Sequence, residues 1–185
     1  PALPLLDRPI AALAALNAPV TRAGRDFSAV LIGCMVLLAV AQILSRALFS
    51  HTLDWAEELA RVALVWGVLL VAPYAYRSGA NVAIGSFAHA LPPRLLVACS
   101  VVLNLLVAWV LVMLLLESFD FWRRGLSLTA SALPIRMSWI YAIVPVALAA
   151  LVLVSAELVL RLLRSLVRPD PDLTLAGAVP GIKED

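Results

Sequence analysis

Leu95–Leu116 reads LLVACSVVLNLLVAWVLVMLLL, 22 residues without a charge, with the single amide Asn104 as its most polar side chain. A helix needs about 20 predominantly apolar residues to cross the hydrocarbon core of a bilayer, so this stretch selects a membrane protein over a soluble one. Three more uncharged runs flank it: Phe27–Ser45 (19 residues), Val62–Tyr76 (15) and Met137–Ala156 (20). Of the 185 residues, 63% are apolar and 14% charged, against about 45–50% and about 25% in soluble domains. The expected fold is an all-α integral membrane protein with four transmembrane helices at about 27–48, 55–76, 95–120 and 138–160. The connections are too short for a separate catalytic domain of about 50 residues or more. Residues 1–168 therefore read as one membrane domain, and 169–185, with Pro169, Pro171, Pro180 and Gly181, as a disordered cytoplasmic tail.

Orientation follows the basic residues, which favour the cytoplasmic side of short connections. Arg8, Arg22, Arg25, Arg77, Arg94, Arg161, Arg164, Arg168 and Lys183 lie on one side of a four-span layout; Arg46, Arg61, Arg123, Arg124 and Arg136 lie on the other. Nine against five places both termini in the cytoplasm. No cleaved leader is expected, because the first long apolar run starts only at Phe27, behind Arg22 and Arg25.

Segments outside the spans carry helical periodicity. Leu6, Ile10, Leu13 and Asn17 follow a possible Asp7 cap, with Pro9 tolerated in the first turn, and predict an N-terminal amphipathic helix lying on the membrane. Ile84, Phe87, Ala88 and Leu91 repeat at i, i+3, i+4, i+7 before Pro92 and Pro93, which predicts a second interfacial helix in the loop. The third span is expected to run long and tilted to Arg124, with Gly125 as its C-cap, and Pro145 to kink the fourth. Trp55, Tyr74, Tyr76, Trp122 and Trp139 fall at span ends, as interfacial aromatics do.

Several functions are disfavoured. A net charge of +2 from 14 basic and 12 acidic residues offers no continuous basic surface for nucleic acid. Cys34 and Cys99 lie within apolar runs and read as small hydrophobes. His51 and His89 fall on opposite sides of the membrane and could not share one haem iron. Motifs for hydrolysis, phosphate binding or metal ligation do not occur, so neither an enzyme nor a cofactor is expected. At mid-membrane depth the first, third and fourth spans hold nothing more polar than Gln42, Asn104 and Ser155, which read as interhelical hydrogen bonders.

The second span is the exception. Its uncharged run reaches only about 22 Å, so the turn before it, with Asp54, Glu57, Glu58 and Arg61, must enter the membrane. Glu57 and Arg61 stand at i, i+4 and Glu58 and Arg61 at i, i+3, spacings that allow local pairing. The turn reads either as a proton or sodium site or as an ion pair that fixes helix depth and docks against a partner.

Leu53-Asp54-Trp55-Ala56-Glu57-Glu58-Leu59-Ala60-Arg61, then Val65-Trp66-Gly67 and Arg77-Ser78-Gly79-Ala80-Asn81-Val82-Ala83-Ile84, resemble the small membrane (Q) subunit of tripartite ATP-independent periplasmic (TRAP) transporters. The resemblance continues through Leu91-Pro92, Ala132-Leu133-Pro134-Ile135-Arg136-Met137-Ser138-Trp139-Ile140-Tyr141 and Pro145. It departs at Asn81, where the family often has His, and at Gly85, where Asp is frequent. What the resemblance implies is a small accessory subunit of a sodium-coupled uptake system for an organic acid, in the bacterial inner membrane. A large membrane subunit would hold the substrate and sodium sites, and a periplasmic binding protein would deliver the solute. Partner-interface candidates are then Trp55, Glu57, Glu58, Arg61 and Trp66 toward the large subunit, with Arg123, Arg124 and Arg136 toward the binding protein; lipids surround the rest. The competing expectations are a self-sufficient four-helix transporter and a membrane redox protein.

Overall fold

The computed structural model describes residues 4–49, 53–78, 93–130 and 134–167, with side chains described over 7–48, 53–78, 99–130 and 134–164. Among the described residues five α-helices form: α1 (Pro4–Phe49), α2 (Asp54–Arg77), α3 (Pro93–Arg124), α4 (Met137–Tyr141) and α5 (Ile143–Val167). Four segments are long and apolar enough to span a membrane: Asp7–Leu48, Asp54–Arg77, Cys99–Ser127 and Met137–Arg164. The chain is therefore an all-α, multi-pass membrane protein.

The helices build a bundle around α5, which touches α1, α2 and α3. α1 and α2 run antiparallel and close together. A Cβ on Gly24 would lie 2.6 Å from the Leu70 carbonyl oxygen, and one turn on, Ser28 Oγ donates to the Gly67 carbonyl at 2.7 Å. Small residues at i and i+4 let the two backbones approach where apolar burial gives no drive between helices in lipid. α3 joins α2 through the Tyr76 hydroxyl, which donates to Asn104 Oδ1 at 2.9 Å, and joins α4 through stacking of Phe121 and Tyr141 at 4.3 Å between centroids. Asn104 thus acts as the interhelical hydrogen bonder its sequence position suggested.

In three places the structure departs from sequence expectation. The N-terminal amphipathic segment is not a separate helix: it runs unbroken into the first span, through Pro9 and Pro19. At 46 residues α1 is about 69 Å long, over twice the hydrocarbon core, and Ile10 and Asn17 on its early turns are buried. Asp7 is a first-turn residue rather than a cap, and its Oδ1 pairs with Arg164 at 3.2 Å. Gly125 opens a 3-10 turn, Gly125–Ser127, and its absent side chain makes room for packing. A Cβ there would sit 2.7 Å from Tyr141 Cδ2 and 2.9 Å from the Ser138 nitrogen. The fourth span divides at Ala142 into α4 and α5, with the Ala142 backbone still in the right-handed helical region at φ −58°, ψ −25°. Pro145 lacks the N–H that would bond the Tyr141 carbonyl, and its ring crowds that carbonyl. The expected loop helix at Ile84–Leu91, the residues Asn81, Gly85, His51 and His89, and the tail 169–185 lie outside the described residues.

Candidate functional site

The charged turn at the start of α2 folds as its spacing suggests. Arg61 donates to Glu57 Oε1 at 2.9 Å across one helical turn, with the side chains 68% and 58% exposed. An exposed pair contributes about 0–1 kcal/mol, so it does little for the chain by itself. Trp55 is exposed beside it. Trp66, one further candidate, is half-buried and turned inward: its indole N–H donates to the Ile140 carbonyl at 3.1 Å and ties α2 to α4.

Arg123, Arg124 and Arg136 gather at the same end of the bundle. The first two close α3, where positive charge complements the carbonyl end of the helix dipole. Arg136 sits on a short hairpin, held by Ala130 N–H to Ile135 O and Met137 N–H to Leu128 O, each 2.9 Å. All three are exposed, and Arg123 pairs with Asp120 at 3.5 Å. α2 and α4 run parallel from Trp66 and Ile140, so the acidic turn of α2 and these arginines face the same side.

At the opposite end lies a site that sequence reasoning missed. Glu157 on α5 is 1% exposed and is the largest fully buried side chain among the described residues. Its Oε1 accepts from Arg161 at 2.6 Å and from Arg77 at 3.2 Å, and its Oε2 accepts from Asn17 at 2.7 Å. Asn17 also donates to the Leu153 carbonyl at 3.2 Å, and Arg77 reaches the Ala14 carbonyl at 3.5 Å. One carboxylate thus fastens the beginning of α1, the end of α2 and the last turns of α5. A buried carboxylate survives only when paired and hydrogen-bonded, and here both oxygens are engaged.

A signal was present. Glu157 and Arg161 stand at i, i+4 in a helix that is apolar before them apart from Ser155, and Asn17 interrupts an apolar stripe. The third partner, Arg77, lies 80 positions from Glu157, and no spacing rule reaches that far.

The depth of this junction follows from helix rise. Glu157 stands 20 residues beyond Met137, where α4 begins, or about 30 Å along the axis, one hydrocarbon thickness. With the α4 start and the exposed Trp139 at one interface, Glu157 falls near the other rather than at the centre. Its geometry is that of a structural clamp that ties α1, α2 and α5 together at one end of the bundle. Among the described residues no group of three or more His, Cys, Asp or Glu is placed to hold a metal ion.

No curated protein matches the chain significantly. A protein-family comparison does: residues 35–165, from the second half of α1 to the end of α5, match the family described as tripartite ATP-independent periplasmic transporters, DctQ component. That match covers well over half the sequence, with the last three spans and the later part of the first, so the chain belongs to the DctQ family and is the small membrane component of a TRAP transporter.

Proposed function

We propose that this chain is a scaffold subunit that packs against the large TRAP membrane subunit in the bacterial inner membrane and helps dock the periplasmic binding protein during sodium-coupled uptake of an organic acid. The observation that carries the reading is where charge sits. The buried carboxylate is closed on its own arginines near one interface, while large apolar side chains cover the outside of the spans, among them Leu37, Ile43, Val102, Leu106 and Trp109. A solute path needs ionisable or broken-helix elements near mid-depth. The division at Ala142 lies only five residues from the start of α4. Wide apolar faces suit a subunit whose surroundings are lipid and another membrane chain.

The exposed turn Asp54–Arg61 and the arginines Arg123, Arg124 and Arg136 share one end of the bundle. With both termini cytoplasmic, that end is periplasmic, where a binding protein arrives. Reconstitution tests the proposal. In proteoliposomes with an imposed sodium gradient, this chain alone should move no solute, and uptake should require the large subunit and the binding protein together. Transport by the chain alone would replace the scaffold reading with a self-sufficient carrier.

A further inference from the structure

We infer that the cleft beside Glu157 is a binding site for the phosphate of an anionic phospholipid headgroup. The cleft encloses about 360 Å³ where α1, α2 and α5 meet, and Arg22, Arg25, Arg77 and Arg161 line it together with Tyr74 and Ser78. Four guanidiniums face a single lining carboxylate, and Glu157 already spends both oxygens on Asn17, Arg77 and Arg161. Positive charge remains in excess even when Asp26, which pairs with Arg25 at 2.8 Å outside the cleft, is counted.

Among the described residues one buried donor has no acceptor, and one guanidinium has no anionic partner. The Nε of Arg161 is buried without a hydrogen-bond partner, a state that costs free energy unless an acceptor arrives. Arg22 is exposed and forms no ion pair among the described residues. Three of the four guanidiniums are pre-positioned: Arg77 and Arg161 are held by Glu157, and Arg25 lies over the Tyr74 ring at 5.1 Å from its centroid. An array of fixed guanidiniums with spare donors matches the planar, multidentate recognition of phosphate oxygens.

The location selects a lipid over a free anion. The cleft sits about one hydrocarbon thickness from the start of α4, at headgroup level. Apolar Val20 and Phe27, both exposed, flank the arginines along α1, so acyl chains would find apolar surface beside the bound phosphate. Basic pockets between spanning helices on the cytoplasmic side are suited to anionic headgroups.

The test uses the complex with the large subunit, purified in mild detergent and exchanged with vesicles of phosphatidylcholine and phosphatidylglycerol at three to one. Native mass spectrometry then counts retained lipid. Phosphatidylglycerol should be enriched over its share in the vesicle. Arg22→Ala and Arg25→Ala should each lower its retention by about fivefold, the loss expected for one basic side chain at an anionic surface. Arg22→Lys should keep most of it, and Arg46→Ala, at the far end of α1, should change nothing. Neither Arg22 nor Arg25 pairs with Glu157, so these variants strand no buried charge and should fold. Equal retention of both lipids, or unchanged retention in the Arg22→Ala/Arg25→Ala double variant, would overturn the inference. So would equal protection by millimolar inorganic phosphate, which would assign the cleft to a free anion. Anionic lipid held by the chain alone but absent from the complex would also refute it, because a side chain of the partner would then fill the cleft.

Discussion

Arg77, the last residue of α2, places its guanidinium 3.2 Å from Oε1 of Glu157, a carboxylate 80 positions along the chain and 1% exposed. Arg161 contacts the same oxygen at 2.6 Å. Two cations on one oxygen are tolerable because each guanidinium keeps some access to water, 24% for Arg77 and 39% for Arg161, while the carboxylate keeps almost none. The anion is the fully committed partner, and the fold depends on it more than on either arginine.

Glu157→Gln should therefore destabilise the chain more than Arg77→Ala does. Removing the charge leaves two partly desolvated guanidiniums facing each other, and breaking a buried pair costs about 3–5 kcal/mol. Arg77→Ala leaves Arg161 and Asn17 on the carboxylate and should cost about half as much. Thermal unfolding of the purified chain in detergent measures both. Equal, small shifts would mean that water already screens the junction.

The contact between α1 and α2 gives a second, independent comparison. A Cβ on Gly24 would meet the Leu70 backbone oxygen at 2.6 Å, whereas one on Gly33 would meet nothing within 4 Å. Gly24→Ala should push the helices apart and cost about 1–3 kcal/mol, the range for overpacking a close contact. Gly33→Ala should be neutral or slightly stabilising for the isolated chain, since alanine is the better helix former. Circular dichroism during thermal melting of the two variants separates these outcomes.

Why the spans were legible and the junction was not has a physical explanation. Absence of charge over about 20 residues is a local property, so the ends expected at 55–76 agree closely with Asp54–Arg77. Helix continuity obeys a different rule. Arg22, Arg25 and Asp26 end the apolar run before Phe27, yet charged side chains do not end a helix, and α1 passes straight through them. Gly125 was identified at the right position for the wrong cause, because a glycine required by a neighbouring ring looks in sequence like one required by a cap. The Arg77–Glu157 pair is non-local, and Trp66 shows the same limit: an indole in the middle of a span reads as a contact for the large subunit until its carbonyl partner on α4 is known.

Topology is open to direct labelling. A cysteine at the exposed Thr129 should react with a membrane-impermeant maleimide from the periplasm, and a reporter active only in the cytoplasm, fused after Asp185, should be active. The basis is the nine-to-five bias of basic residues. The opposite labelling pattern would invert every assignment of faces made above.

Arg123, Arg124 and Arg136 should affect encounter with the binding protein rather than the fold. All three are exposed, so reversing them to glutamate strands nothing in the core. The triple variant should assemble normally but need a higher concentration of binding protein for half-maximal uptake, with a weaker salt dependence, because charge at the rim of an interface mainly governs association rate. Unchanged kinetics in proteoliposomes would remove these arginines from the docking surface.

The turn before α2 separates a docking role from an ion site. In the isolated chain the Glu57–Arg61 pair, 2.9 Å long, is more than half exposed on both sides, so Arg61→Ala should alter the chain's own stability by no more than about 1 kcal/mol. If the large subunit covers this turn, the same change leaves Glu57 desolvated without a cation, and assembly should weaken by about 3–5 kcal/mol. Uptake should then fall only in proportion to the complex lost. An ion-coupling role demands the reverse: Glu58→Gln, which removes a charge while keeping the shape of the side chain, would leave assembly intact and change the sodium dependence of uptake. Measuring complex yield and uptake per assembled complex across sodium concentrations, for Arg61→Ala and Glu58→Gln side by side, distinguishes the two. Docking is the expected outcome, because Glu57, the neighbouring carboxylate, is exposed and already paired with Arg61 at 2.9 Å. A shifted sodium curve in fully assembled Glu58→Gln would overturn it.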